Sequence, residues 1–295
     1  MRIEIDRLTR RFGRTTALDA LTLRIPSGRR AALIGPNGSG KSTLTRILTG
    51  MLSYEGKVGI DGLDPARDRE RIAARLAYVP QAPPQLQASV GEIVGAIAGA
   101  RHLDPDAIAG TAAAFGLDLA AVSGRPVRAL SGGMKQKLLL SLAFASEAGL
   151  MLLDEPTASL DAASRLVFYR LVRERAAGAT LLLCSHRLDE VRHLVQHVIV
   201  LEEGRLAWQG PIADYLRGSA HSLIEVQTSA APAAAWLGAR GFAAGGAGDW
   251  SRILTRAEGL AVLREMFAAL EGSLGSVLVR DLETIDGTYV PKEDS

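Results

Sequence analysis

The sequence predicts an α/β protein: a mixed, largely parallel sheet flanked by helices, a helical subdomain set into it, and a small C-terminal α+β domain. Three observations carry this. Short apolar runs at residues 31–34, 150–153, 180–184 and 198–201 are interleaved with segments of helical spacing, and strand–helix–strand alternation implies parallel strands joined by crossover helices. From about 82 to 149 the texture changes to alanine-rich helical segments broken by Pro83-Pro84, Pro105, Gly116 and Gly124. Past Gly218 a second pattern begins with its own order.

Taken in turn, residues 2–5 and 21–25 alternate in polarity and read as short strands. Residues 31–34 form a brief apolar run that stops at a glycine-rich loop, and 41–52 follow with helical spacing. Further strands are expected at 58–60 and 76–79. After the helical stretch come strands at 150–153 and 180–184 with a helix between them, then one at 198–201. In the tail, 223–228 reads as a strand and 232–240 as a helix. Residues 241–244 and 250–255 read as strands around a Gly-rich turn, 257–271 as an amphipathic helix, and 276–282 as a last strand. The order βαββαβ is that of a ferredoxin-like split βαβ unit. The expected domains are residues 1–217, with the helical subdomain at about 82–149, and 218–295.

Composition narrows the function. With 295 residues at 47% hydrophobic and 22% charged, the chain can bury one large core and a small second one. No apolar stretch is long enough to span a bilayer, since the best run is cut by Glu147. Residues 1–6 lack an apolar signal-peptide core. The single cysteine, Cys184, excludes a disulfide framework and a multi-thiolate metal site, and the expected compartment is the cytoplasm. Residues 1–220 carry 28 Lys and Arg against 22 Asp and Glu, the rest 6 against 10. Neither part has the concentrated basic face of a nucleic-acid binder. His193 and His197 stand four apart on an expected helix, a spacing that could pair for a metal, but they read as solvated face residues.

Three segments carry chemistry. Gly35-Pro36-Asn37-Gly38-Ser39-Gly40-Lys41-Ser42 fits G-x-x-x-x-G-K-[ST], with an apolar strand before it and a helix, continuing at Thr43, after it. Glycines let the backbone curl so that successive N–H groups point inward at a polyphosphate, and the helix start adds its positive dipole end. Lys41 is placed for the β- and γ-phosphates and Ser42 for Mg²⁺. Asp154 and Glu155 end an apolar strand, where Asp154 suits Mg²⁺ and Glu155 suits a general base that polarises water. Ser131, a natural N-cap, opens a helix with Gly132 and Gly133, which makes a second phosphate-binding surface.

A second cradle about ninety residues from the first makes sense if it closes over ATP held by another copy. The Leu130-Ser131-Gly132-Gly133 run resembles the signature motif of the nucleotide-binding subunits of ATP-binding cassette (ABC) transporters. The resemblance covers nearly all of residues 1–217. It implies that Phe12 stacks on adenine as the A-loop aromatic and that Gln81 contacts Mg²⁺ as the Q-loop glutamine. Asp161, in Ser159-Leu160-Asp161, matches the D-loop along the dimer interface, and His186 matches the histidine that senses the γ-phosphate. It further implies a head-to-tail pair of cassettes, here a homodimer, with two ATP between them, held peripherally at the cytoplasmic face of the inner membrane. Separate transmembrane permease subunits would supply the only membrane contact, docking beside the Q-loop at about 82–103, with Pro83, Pro84 and Leu86 as contacts.

A single cassette followed by a short extra domain resembles exporter-type ATPases. Residues 194–218 and the tail are loosely similar to the ATPase of nitrous-oxide-reductase maturation, a copper-processing system. An importer ATPase fits the cassette equally well. A soluble ABC ATPase acting on nucleic acid or ribosomes is the alternative of another class. Its usual marks, two cassettes in one chain or basic stripes, are not in this sequence.

Overall fold

A computed structural model describes residues 1–291 apart from Ala177, His186, Glu271, Asp286 and Gly287; at 188–189, 217–221, 247, 256–257 and 281–291 it describes the backbone alone. The chain divides into two compact units, Met1–Ile212 and Ala213–Ser295.

The first unit opens with strands β1 (Ile3–Phe12) and β2 (Thr15–Ile25), an antiparallel hairpin joined at Gly13 and Arg14. Next come β3 (Arg30–Ile34), α1 (Lys41–Leu48), β4 (Glu55–Ile60), α2 (Arg69–Ala73) and β5 (Leu76–Val79). The helical stretch is α3 (Val90–Arg101), α4 (Pro105–Ala114), α5 (Leu119–Val122) and α6 (Gly132–Ala145). The chain then returns to β6 (Leu150–Asp154), α7 (Ala162–Arg175), β7 (Thr180–Cys184), α8 (Leu188–Leu194), β8 (His197–Glu202) and β9 (Arg205–Pro211). Among the described residues the central sheet runs β5-β6-β7-β3-β8-β9, parallel except for β9. A three-stranded antiparallel sheet, β2-β1-β4, shares its core with it.

That core explains the alternation. Ile3, Leu21 and Ile60 from the small sheet pack with Leu44 and Leu48 of α1 and with Leu33, Leu152 and Leu182 of the central strands. Central strands buried on both faces read as continuous apolar runs, and β6 and β7 are buried at every position. The helical stretch has a core of its own, with Val90, Ile108, Leu117 and Leu138 at its centre. Its helices start where capping chemistry places them. Ser89 and Glu92 form a capping box on α3, Asp104 caps α4 ahead of Pro105, and Ser131 caps α6.

The second unit contains α9 (Ile212–Ser219, whose first residue belongs to the first unit), β10 (Ala220–Gln227), α10 (Ala231–Ala239), β11 (Ala243–Ala244), β12 (Asp249–Thr255), α11 (Arg256–Ala269), β13 (Ser276–Ile285) and β14 (Thr288–Pro291). Its antiparallel sheet runs β11-β12-β10-β13-β14. The two βαβ halves interleave, β10 and β12 lying side by side, which is the ferredoxin-like arrangement with one strand added. Ile224, Val226 and Leu254 of the sheet meet Leu237 of α10 and Met266 of α11 in one core.

The structure departs from the sequence reading in several places. β1 and β2 extend well past the short runs 2–5 and 21–25, because the arginine-rich distal half of the hairpin is paired strand to strand and anchored in the core by Leu8 and Leu18. α1 stops at Leu48, where Thr49 and Gly50 close the helix. His193 and His197 do not share a helix: α8 ends at Leu194 and His197 begins β8. The His193 ring instead stacks on Tyr169, 6.4 Å between centroids. The units divide five residues before the boundary read from Gly218, within the first turn of α9.

Candidate nucleotide site

The loop from Gly35 to Gly40 leaves the C-terminal end of β3 and feeds α1, the place where open α/β sheets bind ligands. Gly35 has φ +144°, and a side chain there would run into the Leu201 carbonyl of the neighbouring strand, so only glycine fits. Pro36, Asn37 and Gly38 are exposed, while Ser39 and Gly40 are buried. The Ser39 N–H donates to the Pro36 carbonyl at 3.1 Å and closes the turn. The Ser39 hydroxyl oxygen is buried without a hydrogen-bond partner among the described residues. Lys41 donates to the Gly35 carbonyl, and to the Pro36 carbonyl at 3.0 Å, so its ammonium lies folded over the loop. Phosphate oxygens would replace these neutral acceptors with charged ones, a stronger pairing. Thr43 lies half-buried in the first turn of α1.

Beside the loop, Ser42 of α1 donates to the Asp154 carboxylate at 3.3 Å. Asp154 is 5% exposed at the end of β6. Burial pushes its carboxyl above the ordinary aspartate range and the Glu155 charge adds to this, while the Ser42 hydrogen bond and Lys41 pull the other way. A buried carboxylate and a hydroxyl form a hard oxygen pair of the kind that suits Mg²⁺. Glu155 adopts φ +48° as the strand turns, with its N–H on the Cys184 carbonyl at 2.8 Å. Gln81 is exposed two residues beyond Val79, and the register pairs Val79 with Leu153, two residues before Glu155. The parallel strands therefore deliver Gln81, Asp154 and Glu155 to one sheet end. Phe12, at the end of β1, is 44% exposed with the Arg10 guanidinium 4.6 Å from its ring centre.

The second glycine pair sits elsewhere in the chain's contacts. Ser131 accepts the Met134 N–H at 3.2 Å, which caps α6. A Cβ on Gly133 would come 3.0 Å from the Ser159 carbonyl, so this glycine lets the start of α6 pack on the 155–161 turn. Asp161 caps α7 through the Ser164 N–H at 2.8 Å and pairs with Lys137 of α6 at 3.0 Å. These two partners, the Ser164 N–H first, hold its carboxyl well below the usual range. The expectation at His186 falls outside the described residues; its neighbours Ser185 and Arg187 are described.

Sequence reasoning missed the side chains that tie these segments together. Buried Lys135 donates to Gln85, four residues beyond Gln81, at 3.1 Å, and buried Gln136 donates to the Pro156 carbonyl at 2.9 Å. Thr157, also buried, donates to the carboxylate of Glu190, which is fully buried on α8. An acidic residue on a helix that packs into the core was the available signal.

Residues 18–158 match the ABC transporter family. The nickel import ATP-binding protein NikO of Rhodobacter capsulatus is 36% identical over 223 residues, 69% of this chain and 87% of that protein. The chain belongs to the ABC transporter ATPase family. The Nod factor export ATP-binding protein I of Paraburkholderia xenovorans is 33% identical over 215 residues, 70% of each. A solved ATP-binding subunit of an ABC transporter superposes with TM-score 0.68 at 27% identity, covering 74% of this chain and 93% of that one. The chain is thus an ATP-binding ABC ATPase, whose hydrolysis is coupled to transport. Its relatives include both an import and an export protein. No described helix is long and apolar enough to cross a membrane.

Proposed function

We propose that this ABC ATPase works as a homodimer of cassettes around two ATP, peripheral to the cytoplasmic face of the inner membrane, and drives separate transmembrane subunits, most naturally of the exporter type. The observation that carries the reading is the presence in one chain of two glycine-bearing helix starts, at Gly40 and at Ser131, with Asp154 and Glu155 beside the first.

In this reading Lys41 leaves the Gly35 and Pro36 carbonyls for the β- and γ-phosphates, which the backbone from Gly35 to Thr43 cradles. Ser42, Asp154 and Gln81 would hold Mg²⁺, which would supply charge neutralisation to the phosphates. Phe12 stacks on adenine. Glu155 accepts a proton from the water that attacks the γ-phosphorus as the bond to the ADP oxygen breaks, and His186 touches the γ-phosphate. From the partner copy, Ser131, Gly132 and Gly133 donate to the γ-phosphate, and Asp161 lines the interface. ATP therefore joins the two copies, and hydrolysis releases them.

Complementation between two inactive copies tests the composite site. Ser131→Arg and Lys41→Ala chains, each inactive alone, recover hydrolysis when mixed, because one of the two sites in the mixed pair is intact. Activity in Ser131→Arg alone contradicts it.

Export is supported by the short domain after the cassette and by the Nod factor relative. NikO favours import. Hydrolysis by the permease complex that depends on a substrate-binding protein would mark an importer. Exposed Pro84 and Leu86 support permease docking near the Q-loop. The similarity of residues 194–218 to the nitrous-oxide-reductase maturation ATPase suggests copper or sulfur species as cargo.

A further inference from the structure

A buried carboxylate outside the expected motifs connects two of them. Glu190 is fully buried on α8 and accepts the Thr157 hydroxyl hydrogen. Its same oxygen lies 3.4 Å from the Arg187 guanidinium, at the N-cap of α8. Thr157 is itself 3% exposed and stands two residues after Glu155. A buried charge is tolerated when it is paired and hydrogen-bonded, and removing one partner leaves the other at a high desolvation cost.

The turn that starts at Glu155 is gripped from three sides. The Glu155 N–H bonds the Cys184 carbonyl at the end of β7. Gln136 of α6 bonds the Pro156 carbonyl at 2.9 Å, and Glu190 of α8 holds Thr157. Two of these three tethers belong to the segment 184–190, and the Arg187 N–H donates to the Ser185 hydroxyl at 3.1 Å on either side of position 186. Glu155 has a left-handed backbone, φ +48°, which a non-glycine residue keeps only when its surroundings enforce it.

We infer that Glu190 is a positioning residue for hydrolysis: held by Arg187 at the start of α8, it fixes through Thr157 the turn that aims Glu155. This rests on the reading of Glu155 as the general base. Thr157 and Glu190 are not among the residues proposed to cradle the nucleotide, so binding should survive their loss, whereas a base aimed even slightly wrong slows the proton transfer.

The test is steady-state ATP hydrolysis by the full chain, with Mg·ATP affinity measured separately by a fluorescent ATP analogue and folding checked by thermal melting. Thr157→Val lowers kcat about tenfold or more while KM and analogue affinity stay within about twofold, and Thr157→Ser restores kcat. Glu190→Ala combined with Thr157→Val loses no more than the worse single variant, as for two parts of one device. Should Glu190→Ala fail to fold, Thr157→Val and Thr157→Ser decide alone. A folded Thr157→Val at the wild-type kcat overturns the inference, and so does a kcat loss that Thr157→Ser shares. Glu155→Gln run alongside separates the two claims. If it is inactive while Thr157→Val is fully active, only the positioning role fails; if it hydrolyses normally, the general-base reading fails.

Discussion

Asp154 shows how a single side chain can be costly to the fold and useful to the site. Burial raises its carboxyl pKa. The protonated form is thus the one the folded state favours: the stability it brings is full below about pH 3.9, the unfolded value, and is lost as pH rises through the higher folded value. Asp154→Asn removes that penalty. It should melt above the wild type at pH 7 without nucleotide, the gap closing toward pH 3.5, and should lose Mg²⁺-dependent hydrolysis. A variant that melts lower at pH 7 would show that the ionised carboxylate is already compensated. At Glu155 the general-base role predicts a loss of about 10²–10⁴ in kcat for Glu155→Gln with ATP still bound, read by single-turnover hydrolysis. The residues around the glycine-rich loop were legible in the sequence because glycine, lysine and serine at fixed spacing have few other uses. The pairing of Thr157 with Glu190 was not: an acidic residue on a core-packing helix hints at Glu190, but nothing in linear order brings residue 157 against residue 190.

At the scale of elements, α6 carries the most consequence for its length. Its first residues are the ones proposed as the second phosphate cradle, Gly133 meets the Ser159 carbonyl, and Lys135, Gln136 and Lys137 reach Gln85, Pro156 and Asp161. One helix thus touches the segment expected to meet the permease, the turn after Glu155, and the cap of α7. Ser131→Ala deletes its N-cap and should cost about 1 kcal/mol, a drop of about 2–4 °C in a unit of this size. Ser131→Thr keeps both the cap and the melting temperature. Calorimetry checks this, and a Ser131→Ala melting curve identical to the wild type would show that the cap contributes nothing. The central strands were legible because they are buried on both faces and read as unbroken apolar runs. β9, α2 and α9 were not, since β9 is a half-exposed antiparallel edge and α2 spans five residues with one buried, Ile72. The His193–His197 spacing misled for a related reason: a four-residue interval has meaning only while a helix lasts, and α8 ends between them.

For the molecule as a whole, the ferredoxin-like order of the second unit could be read from the sequence because its strands and helices alternate with clear turn signals. Its fifth strand, β14, lies beyond the 276–282 run and is held by pairing with β13 alone among the strands. In the first unit the loop, Ser42, Asp154 and Glu155 gather at one sheet end, while Gly132 and Gly133 meet Ser159 of the 155–161 turn; in the proposed reading this makes the ATPase site half a site. Completion by a second copy is what this division calls for, and charge-assisted hydrogen bonds from that copy to the γ-phosphate would make the association depend on ATP. The most direct measurement is the solution mass of the Glu155→Gln chain by sedimentation with and without saturating Mg·ATP. The account predicts a monomer without nucleotide and a doubled mass with it, reversed by adding Ser131→Arg to the same chain. A chain that binds Mg·ATP yet keeps the mass of a single copy, with its permease also supplied, would contradict it.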